Sequence, residues 1–204
     1  MFAQPAPRTL ADAVLPRSHA WFRDLALVVV GATLMALFAR IAIYLPFTAV
    51  PITGQTLGVL LTGALLGRWR GALAMLVYLG EGLAGLPVFA GGMSAWTPSA
   101  LGLPVILGPT AGYLIAFPLA AGVVGWLANR RWDRSFSSAA MAMAIGEIVI
   151  YAGGLAWLAH FVGASAAIPQ GLLPFIPGDI AKLALAAVVL PSGWRLVGEP
   201  SARI

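Results

Sequence analysis

Long apolar runs, separated by short polar or proline-rich breaks, occupy most of this 204-residue sequence. Hydrophobic residues make up 60% of the chain and charged residues only 9%, whereas about a quarter of the residues of a soluble domain are charged. A helix needs about twenty apolar residues to cross the hydrocarbon core of a bilayer. The runs therefore predict an all-α membrane protein. We place six transmembrane helices near 24–45, 54–67, 71–87, 109–128, 138–162 and 172–191.

The arginines orient these spans. They cluster near both termini, after the second span and after the fourth, whereas the opposite connections contain no arginine or lysine. Cytoplasmic loops collect basic residues and translocated loops do not. We therefore predict that both termini are cytoplasmic. The domain organisation follows: a polar N-terminal arm at 1–22, a six-helix transmembrane domain at 23–192 and a C-terminal tail at 193–204.

A few charged residues remain inside the apolar runs. They are Arg40, Glu81, Glu147, Asp179 and Lys182, the only lysine of the chain. Each costs about 2.5–3.5 kcal/mol at mid-bilayer, so we expect them to face the bundle interior and to find partners. Counted along the helices, Glu147 and Lys182 lie at one depth, and Tyr151 and Asp179 about one turn further out. This predicts a polar pocket between the last two helices; an ion pair that only holds helices together is the alternative.

The start of the last span strengthens the pocket hypothesis. Proline is tolerated in the first turn of a helix, so Pro177 can open this helix and bring Asp179 to the positive end of its dipole. A helix from Gly178 to Pro191 would be only about 20 Å long. We therefore expect it to begin below the outer surface and the pocket to face outward. The charge-free, proline-rich connections at 46–55 and 86–109 are predicted to cap it.

The sequence also excludes several classes of function. No cysteine is present, and only His19 and His160 provide imidazole, so neither a disulfide nor a metal site is expected. The single lysine does not follow a glycine-rich loop, so the chain has no Walker A motif, and catalytic serine or zinc motifs are also missing. The basic residues form no continuous face for nucleic acid. We expect no enzyme, no cofactor and no nucleic-acid partner.

Four motifs together resemble one family. They are PFTAVPITGQTLG at 46–58, GLPVFAGG at 85–92, GPTAGYL at 108–114 and PFIPGDIAK at 174–182. In this order they closely resemble the BioY family, the biotin-binding S components of energy-coupling factor (ECF) transporters. The resemblance covers about 45–191. One departure is the stretch Ala90, Gly91 and Gly92, where some relatives carry an asparagine.

The resemblance implies an ECF S-component fold in the bacterial cytoplasmic membrane and high-affinity biotin uptake. Energy would come from a transmembrane coupling subunit and ABC-type ATPases, which agrees with the missing Walker motif. A secondary proton-coupled carrier using Glu81 or Glu147, a solitary vitamin transporter and a homo-oligomer remain alternatives.

The resemblance also implies site residues. Asp179 and Lys182 match the acidic and lysine positions of the last motif, which are expected to contact the vitamin. Our own hypothesis adds that biotin lies against Phe89, Tyr113 and Tyr151, with Gln55 as a gate contact and Glu147 in the same pocket. Small residues spaced by four allow helices to approach closely in lipid. Ala32 and Ala36 form such a pair and match the family's contact with the coupling subunit.

Overall fold

A computed structural model of the chain describes residues 9–15, 20–99 and 101–198. As predicted, it is mostly helical. The helices are α1 (Leu10–Val14), α2 (Ala20–Ala39), α3 (Gln55–Leu66), α4 (Arg68–Leu83), α5 (Ala111–Ala128), α6 (Phe136–Val162), α7 (Ala164–Gly171) and α8 (Ile176–Leu196). Two short strands, β1 (Ala42–Ile43) and β2 (Ile52–Thr53), pair antiparallel with Ala42 opposite Thr53.

Four of the described helices are long and apolar enough to cross a membrane. They are α2 from Trp21, α5, α6 and α8. The helices α3 and α4 coincide with the second and third predicted spans but have only 12 and 16 residues, about 18 and 24 Å. Gly67 ends α3 and starts α4 with a φ of 82°, a left-handed conformation that favours glycine and allows the chain to reverse sharply.

Several predicted boundaries are wrong, most of all the ends of the first and last spans. The first span was expected to reach residue 45, but α2 ends at Ala39 because the chain turns into the β1–β2 hairpin, whose β-branched residues favour strands. The last helix was expected to end near Pro191, yet α8 continues to Leu196 and is about 32 Å long. Helix length therefore does not place the start of α8 below the surface. Trp194 stabilises the last turn of α8, because its buried indole donates a hydrogen bond to Asp133.

The predicted terminal segments are partly folded. The arm at 1–22 contains α1 and the first residues of α2, and the tail at 193–204 begins inside α8. Thr9 caps α1 by accepting a hydrogen bond from the backbone N–H of Asp12. Residues 1–8, 16–19 with His19, and 199–204 lie outside the described residues.

The helix α5 lies at the centre of the bundle, between α3, α4 and α6. Glycines bring it close to its neighbours: a Cβ at Gly63 of α3 would lie 2.5 Å from the carbonyl oxygen of Ala121, and one at Gly112 would lie 2.2 Å from Trp157. No side chain fits at these crossings. Without a hydrophobic drive between helices in lipid, such close backbone packing holds the bundle together.

The segment between α4 and α5 is folded onto the bundle. It contains two short 3-10 turns, at Ala90–Gly92 and Val105–Leu107, and Phe89, Ala95 and Val105 are buried. The indole of Trp96 donates to the carbonyl of Leu83 at the end of α4. The segment thus covers one end of the bundle.

Candidate binding site

The first turn of α8 carries the central ion pair of the site. Phe175 precedes the helix and its carbonyl accepts a hydrogen bond from the backbone N–H of Asp179, which places the carboxylate in the first turn. Lys182 follows one turn later, and its Nζ lies 2.9 Å from Asp179 Oδ1. The hydroxyl of Tyr151 on α6 donates to Asp179 Oδ2. The predicted common level of Tyr151 and Asp179 is therefore confirmed.

Lys182 also connects α8 to the hairpin and to α3. Its Nζ donates to the carbonyl oxygen of Thr53 at 2.8 Å and to Thr56 Oγ1 at 3.0 Å. With Asp179, these contacts use all three donors of the ammonium group. The Thr56 hydroxyl lies 3.4 Å from Asp179 Oδ1. Neither threonine was predicted individually, although both lie in the first motif, at 46–58.

A small cavity of about 30 Å³ lies beside this ion pair. Its walls come from the hairpin, α3, α5, α6 and α8. The lining residues are Val50, Pro51, Thr53, Gln55, Thr56, Thr110, Tyr113, Phe117, Ile150, Tyr151, Phe175 and Lys182. Sites for drug-sized ligands usually have about 300–1,000 Å³. The cavity has the polar and aromatic lining of such a site but is much smaller, so a ligand can enter only if the lining moves apart.

Most of the predicted aromatic residues meet at this cavity. The rings of Tyr113 and Tyr151 pack edge to face with centroids 6.2 Å apart, and Tyr113 donates a hydrogen bond to the carbonyl of Gly171. Phe117 and Phe175 add apolar surface that was not predicted. Phe89 does not line the cavity; it is fully buried and its ring centroid lies 5.3 Å from that of Tyr78.

Gln55 contacts both the cavity and the pair of Tyr78 and Phe89. It lines the cavity, and its Nε2 donates to the hydroxyl of Tyr78 at 2.8 Å. Through Tyr78 it is linked to Phe89 and hence to the segment that covers the bundle. Phe89 can therefore affect the cavity through Gln55, while direct contact with a ligand stays a prediction.

Glu147 differs from Asp179 and Lys182 in its hydrogen bonding. It lies one turn before Tyr151 on α6 and is 7% exposed, like Asp179. Neither of its carboxylate oxygens has a hydrogen-bond partner among the described residues. Buried polar groups are nearly always paired, and an unpaired one is expensive. Glu147 is therefore available to accept a hydrogen bond from a group that enters the pocket.

The remaining predicted residues lie apart from the cavity. Arg40 is exposed and donates to the carbonyl of Pro87. Its side chain therefore lies at the end of the bundle and not in the interior. Ala32 is completely buried inside the bundle, whereas Ala36 keeps some exposed surface. Of this pair, only Ala36 has surface that a partner subunit can touch without rearrangement of α2. In the described part of the chain, no three His, Cys, Asp or Glu residues are grouped to hold a metal ion.

Comparisons with known proteins support the resemblance of the motifs. The model of the BioY family matches residues 9–199. A probable biotin transporter BioY of Pyrococcus horikoshii is 38% identical over 167 residues, covering 82% of this chain and 93% of the relative. The biotin transporter BioY of Rhodobacter capsulatus is also 38% identical, over 78% of this chain and 90% of the relative.

The fold is similar to that of a solved transporter subunit. The crystal structure of the S-component for biotin from an ECF-type ABC transporter matches with a TM-score of 0.73 and 26% identity, over 92% of this chain and 97% of that chain. These similar proteins are transporters or transporter components. The prediction that the chain is not an enzyme is thereby confirmed.

Proposed function

Because this chain belongs to the BioY family, we propose that it binds biotin and carries it into the cell as the S component of an ECF transporter. The observation that carries this proposal is the ion pair of Asp179 and Lys182 beside an aromatic-lined cavity. A vitamin with hydrogen-bonding groups and an apolar ring system fits such a lining.

The charges of the pocket favour one end of biotin. Asp179 and Glu147 supply two carboxyl groups, and Lys182 supplies a single ammonium. The ureido ring of biotin offers two N–H donors and one carbonyl acceptor, whereas its side chain ends in a carboxylate. A second negative charge beside Asp179 would be repelled, since like charges repel strongly where little water screens them. We therefore propose that the ureido ring enters, with its carbonyl on Lys182 and its N–H groups on the carboxyls.

Entry of biotin needs the pocket to open. The hairpin is held over the pocket by the hydrogen bond from Lys182 to the carbonyl of Thr53. A ligand carbonyl can replace that acceptor without leaving the ammonium unpaired. We propose that biotin takes the place of Thr53 on Lys182 and that the hairpin moves away as it does so. Tyr113 and Tyr151 then contact the ring system.

The membrane arrangement is also part of the proposal. The six helices α2 to α6 and α8 cross the bacterial cytoplasmic membrane, with α3 and α4 as short spans, and both termini are cytoplasmic. The segment 23–192 is the transmembrane domain, flanked by the arm at 1–22 and the tail at 193–204. A transmembrane coupling subunit, contacted at Ala36 and the exposed side of α2, and two ATPase subunits supply the energy. No cofactor is needed.

Equilibrium binding of labelled biotin to the purified chain tests the site. We expect Lys182→Ala and Asp179→Asn to weaken binding by about tenfold or more, because each leaves a buried charged or polar partner unpaired. Glu81→Gln is the matched control: it removes a carboxylate from α4, outside the cavity lining, and should bind like the wild type. Unchanged affinity in both site variants refutes the assignment, and tight binding of another vitamin with none for biotin refutes the substrate.

The source of energy needs a separate experiment. Recovery of ATPase subunits with the tagged chain from its native membrane supports the ECF assembly. Uptake by the chain alone that collapses when the proton gradient is removed supports a secondary carrier instead. Uptake by the chain alone that persists without the gradient supports a solitary transporter.

A further inference from the structure

A groove of about 450 Å³ lies between α4 and α5, apart from the binding site. It is lined by Arg68, Trp69, Ala72, Pro118, Leu119, Gly122, Val123 and Trp126. Except for Arg68 its walls are apolar or aromatic, and Leu119 and Trp69 are mostly exposed. The groove is thus far larger than the cavity of the binding site, and it opens to the surroundings of the bundle.

Two arginines stand at one end of this groove, each against a tryptophan. The guanidinium of Arg68 lies 4.6 Å from the ring centroid of Trp69, and that of Arg130 lies 3.5 Å from the ring centroid of Trp126. Both arginines are exposed. Neither forms an ion pair with a carboxylate in the part of the chain that the structure describes, whereas Arg70 pairs with Asp12. Two positive charges at this end are therefore uncompensated.

The rest of the groove is apolar. Pro118 lies inside α5, two turns before Trp126, so the groove follows α5 for about 12 Å. Gly122 leaves its middle open: a Cβ there would meet only Ala72 Cβ at 3.6 Å and the Arg68 carbonyl at 3.8 Å, which are ordinary contacts. An apolar chain can lie in this space.

We propose that the groove binds one anionic phospholipid. Its phosphate lies between Arg68 and Arg130, and one acyl chain follows α5 toward Pro118. Tryptophan and arginine together are typical of the membrane–water interface, and basic pockets between transmembrane helices bind anionic headgroups. Charge complementarity thus selects an anionic lipid over a zwitterionic one, and the apolar slot selects a lipid over a free phosphate.

Native mass spectrometry of the purified chain tests this site with defined lipids. The wild type should retain phosphatidylglycerol in preference to phosphatidylcholine. The double variant Arg68→Gln, Arg130→Gln should lose this preference by about thirtyfold, because each basic side chain contributes about fivefold. Arg195→Gln is the matched control, since it removes an exposed arginine from the last turn of α8, outside the groove.

A second variant tests the apolar part of the groove. Gly122→Leu fills the slot and keeps both arginines, and leucine favours a helix more than glycine, so the fold is retained. It should lose bound phosphatidylglycerol as well. Equal retention of both lipids by the wild type, or equal loss in Arg195→Gln, overturns the proposal in favour of non-specific attraction. Retention by Gly122→Leu, or displacement by inorganic phosphate alone, shows that the apolar slot is not used.

Discussion

In the part of the chain that the structure describes, two clusters each hold an ion pair around a buried aspartate, and they differ in what surrounds that pair. The site cluster consists of Asp179, Lys182, Tyr151 and Thr56 and borders a cavity. The tryptophan cluster consists of Asp133, Arg134 and Trp194: the indole donates to Asp133 at 2.6 Å, and the Arg134 guanidinium lies 3.2 Å from the indole centroid.

The difference separates a binding role from a structural one. In the tryptophan cluster a large ring fills the space beside the charges, and all three residues are at most 2% exposed. In the site cluster the adjoining space is left unfilled. Among the described residues, buried oxygens without a hydrogen-bond partner occur at both places, on Glu147 near the site and on Asp133 in the tryptophan cluster. A buried ion pair therefore indicates a binding site only where space remains beside it.

The largest expected effect is at the site cluster. Lys182→Ala should lower the free energy of unfolding by about 3–5 kcal/mol, because it leaves the buried Asp179 carboxylate without its ammonium partner. Thermal unfolding in detergent measures this loss. The double variant Lys182→Met, Asp179→Asn removes both charges and should recover most of the stability without recovering biotin binding. Recovery of both would mean that the pair is structural, as in the tryptophan cluster.

A smaller effect is expected at the tryptophan cluster. Trp194→Phe keeps most of the ring but removes the donor to Asp133, which should cost about 1–3 kcal/mol for an unsatisfied buried group. The control Trp21→Phe changes an exposed ring and should stay within about 0.5 kcal/mol of the wild type. Biotin affinity should not change in either variant. A loss of affinity in Trp194→Phe would show that the two clusters are coupled.

The pH dependence of stability gives a finer comparison. Burial raises the pKa of Asp133 from 3.8 to about 6, although the hydrogen bond from Trp194 and the charge of Arg134 act in the opposite direction. The folded state then binds this proton more tightly than the unfolded state, so the contribution to stability is complete below pH 3.8 and is lost as the pH rises through about 6.

Melting temperatures of the wild type and of Asp133→Asn between pH 4 and 7 test this effect. The melting temperature of the wild type minus that of the variant should fall as the pH rises through this range. A constant difference would contradict the raised pKa.

The smallest effect is expected at the ion pairs that join α1 to α2 and α4. Asp12 contacts Arg70 at 2.8 Å and Arg23 at 3.4 Å. Asp12→Asn should cost about 1 kcal/mol at pH 7, because asparagine keeps an oxygen that accepts hydrogen bonds from Arg70 and Thr9 and only the charge is lost.

Acid should remove the contribution of Asp12 to the free energy of unfolding. Burial alone would raise the pKa of Asp12, but hydrogen bonds from Arg70 and Thr9 and the nearby arginine charges lower it below its usual 3.8. Its contribution is present above that value and is lost as the pH falls. Chemical unfolding at pH 7 and pH 3 measures both effects. A cost as large as that of Lys182→Ala would mean that this pair is shielded from water.

Much of the helical framework was predictable because each helix is encoded locally. Apolar runs and their breaks predicted α2 to α6 and α8, and counting residues along α6 and α8 correctly placed Tyr151 level with Asp179. The ends of α2 and α8 were missed. They depend on a hairpin and on the contact between Trp194 and Asp133, which join segments far apart in the chain.

The candidate site was predictable only in part, for the same reason. Because a charged side chain is energetically unfavourable in a membrane, the sequence indicated Asp179 and Lys182 as site residues without any knowledge of their neighbours. The partners of Lys182, the Thr53 carbonyl and the Thr56 hydroxyl, come from more than 120 positions earlier, with separations of 129 and 126 residues. The packing of Phe89 on Tyr78 and the burial of Ala32 likewise depend on which helix faces meet.

The sequence by itself determined that this is a helical membrane protein, which residues carry charge into the bundle, and, through its motifs, the family. Composition and helical rise are enough for these conclusions, because the bilayer penalises polar groups wherever they occur. Only the tertiary structure decided which charges are satisfied. It paired Asp179 with three groups and left Glu147 with none among the described residues. A shift of a few tenths of an ångström between two helices is enough to make or break such a hydrogen bond.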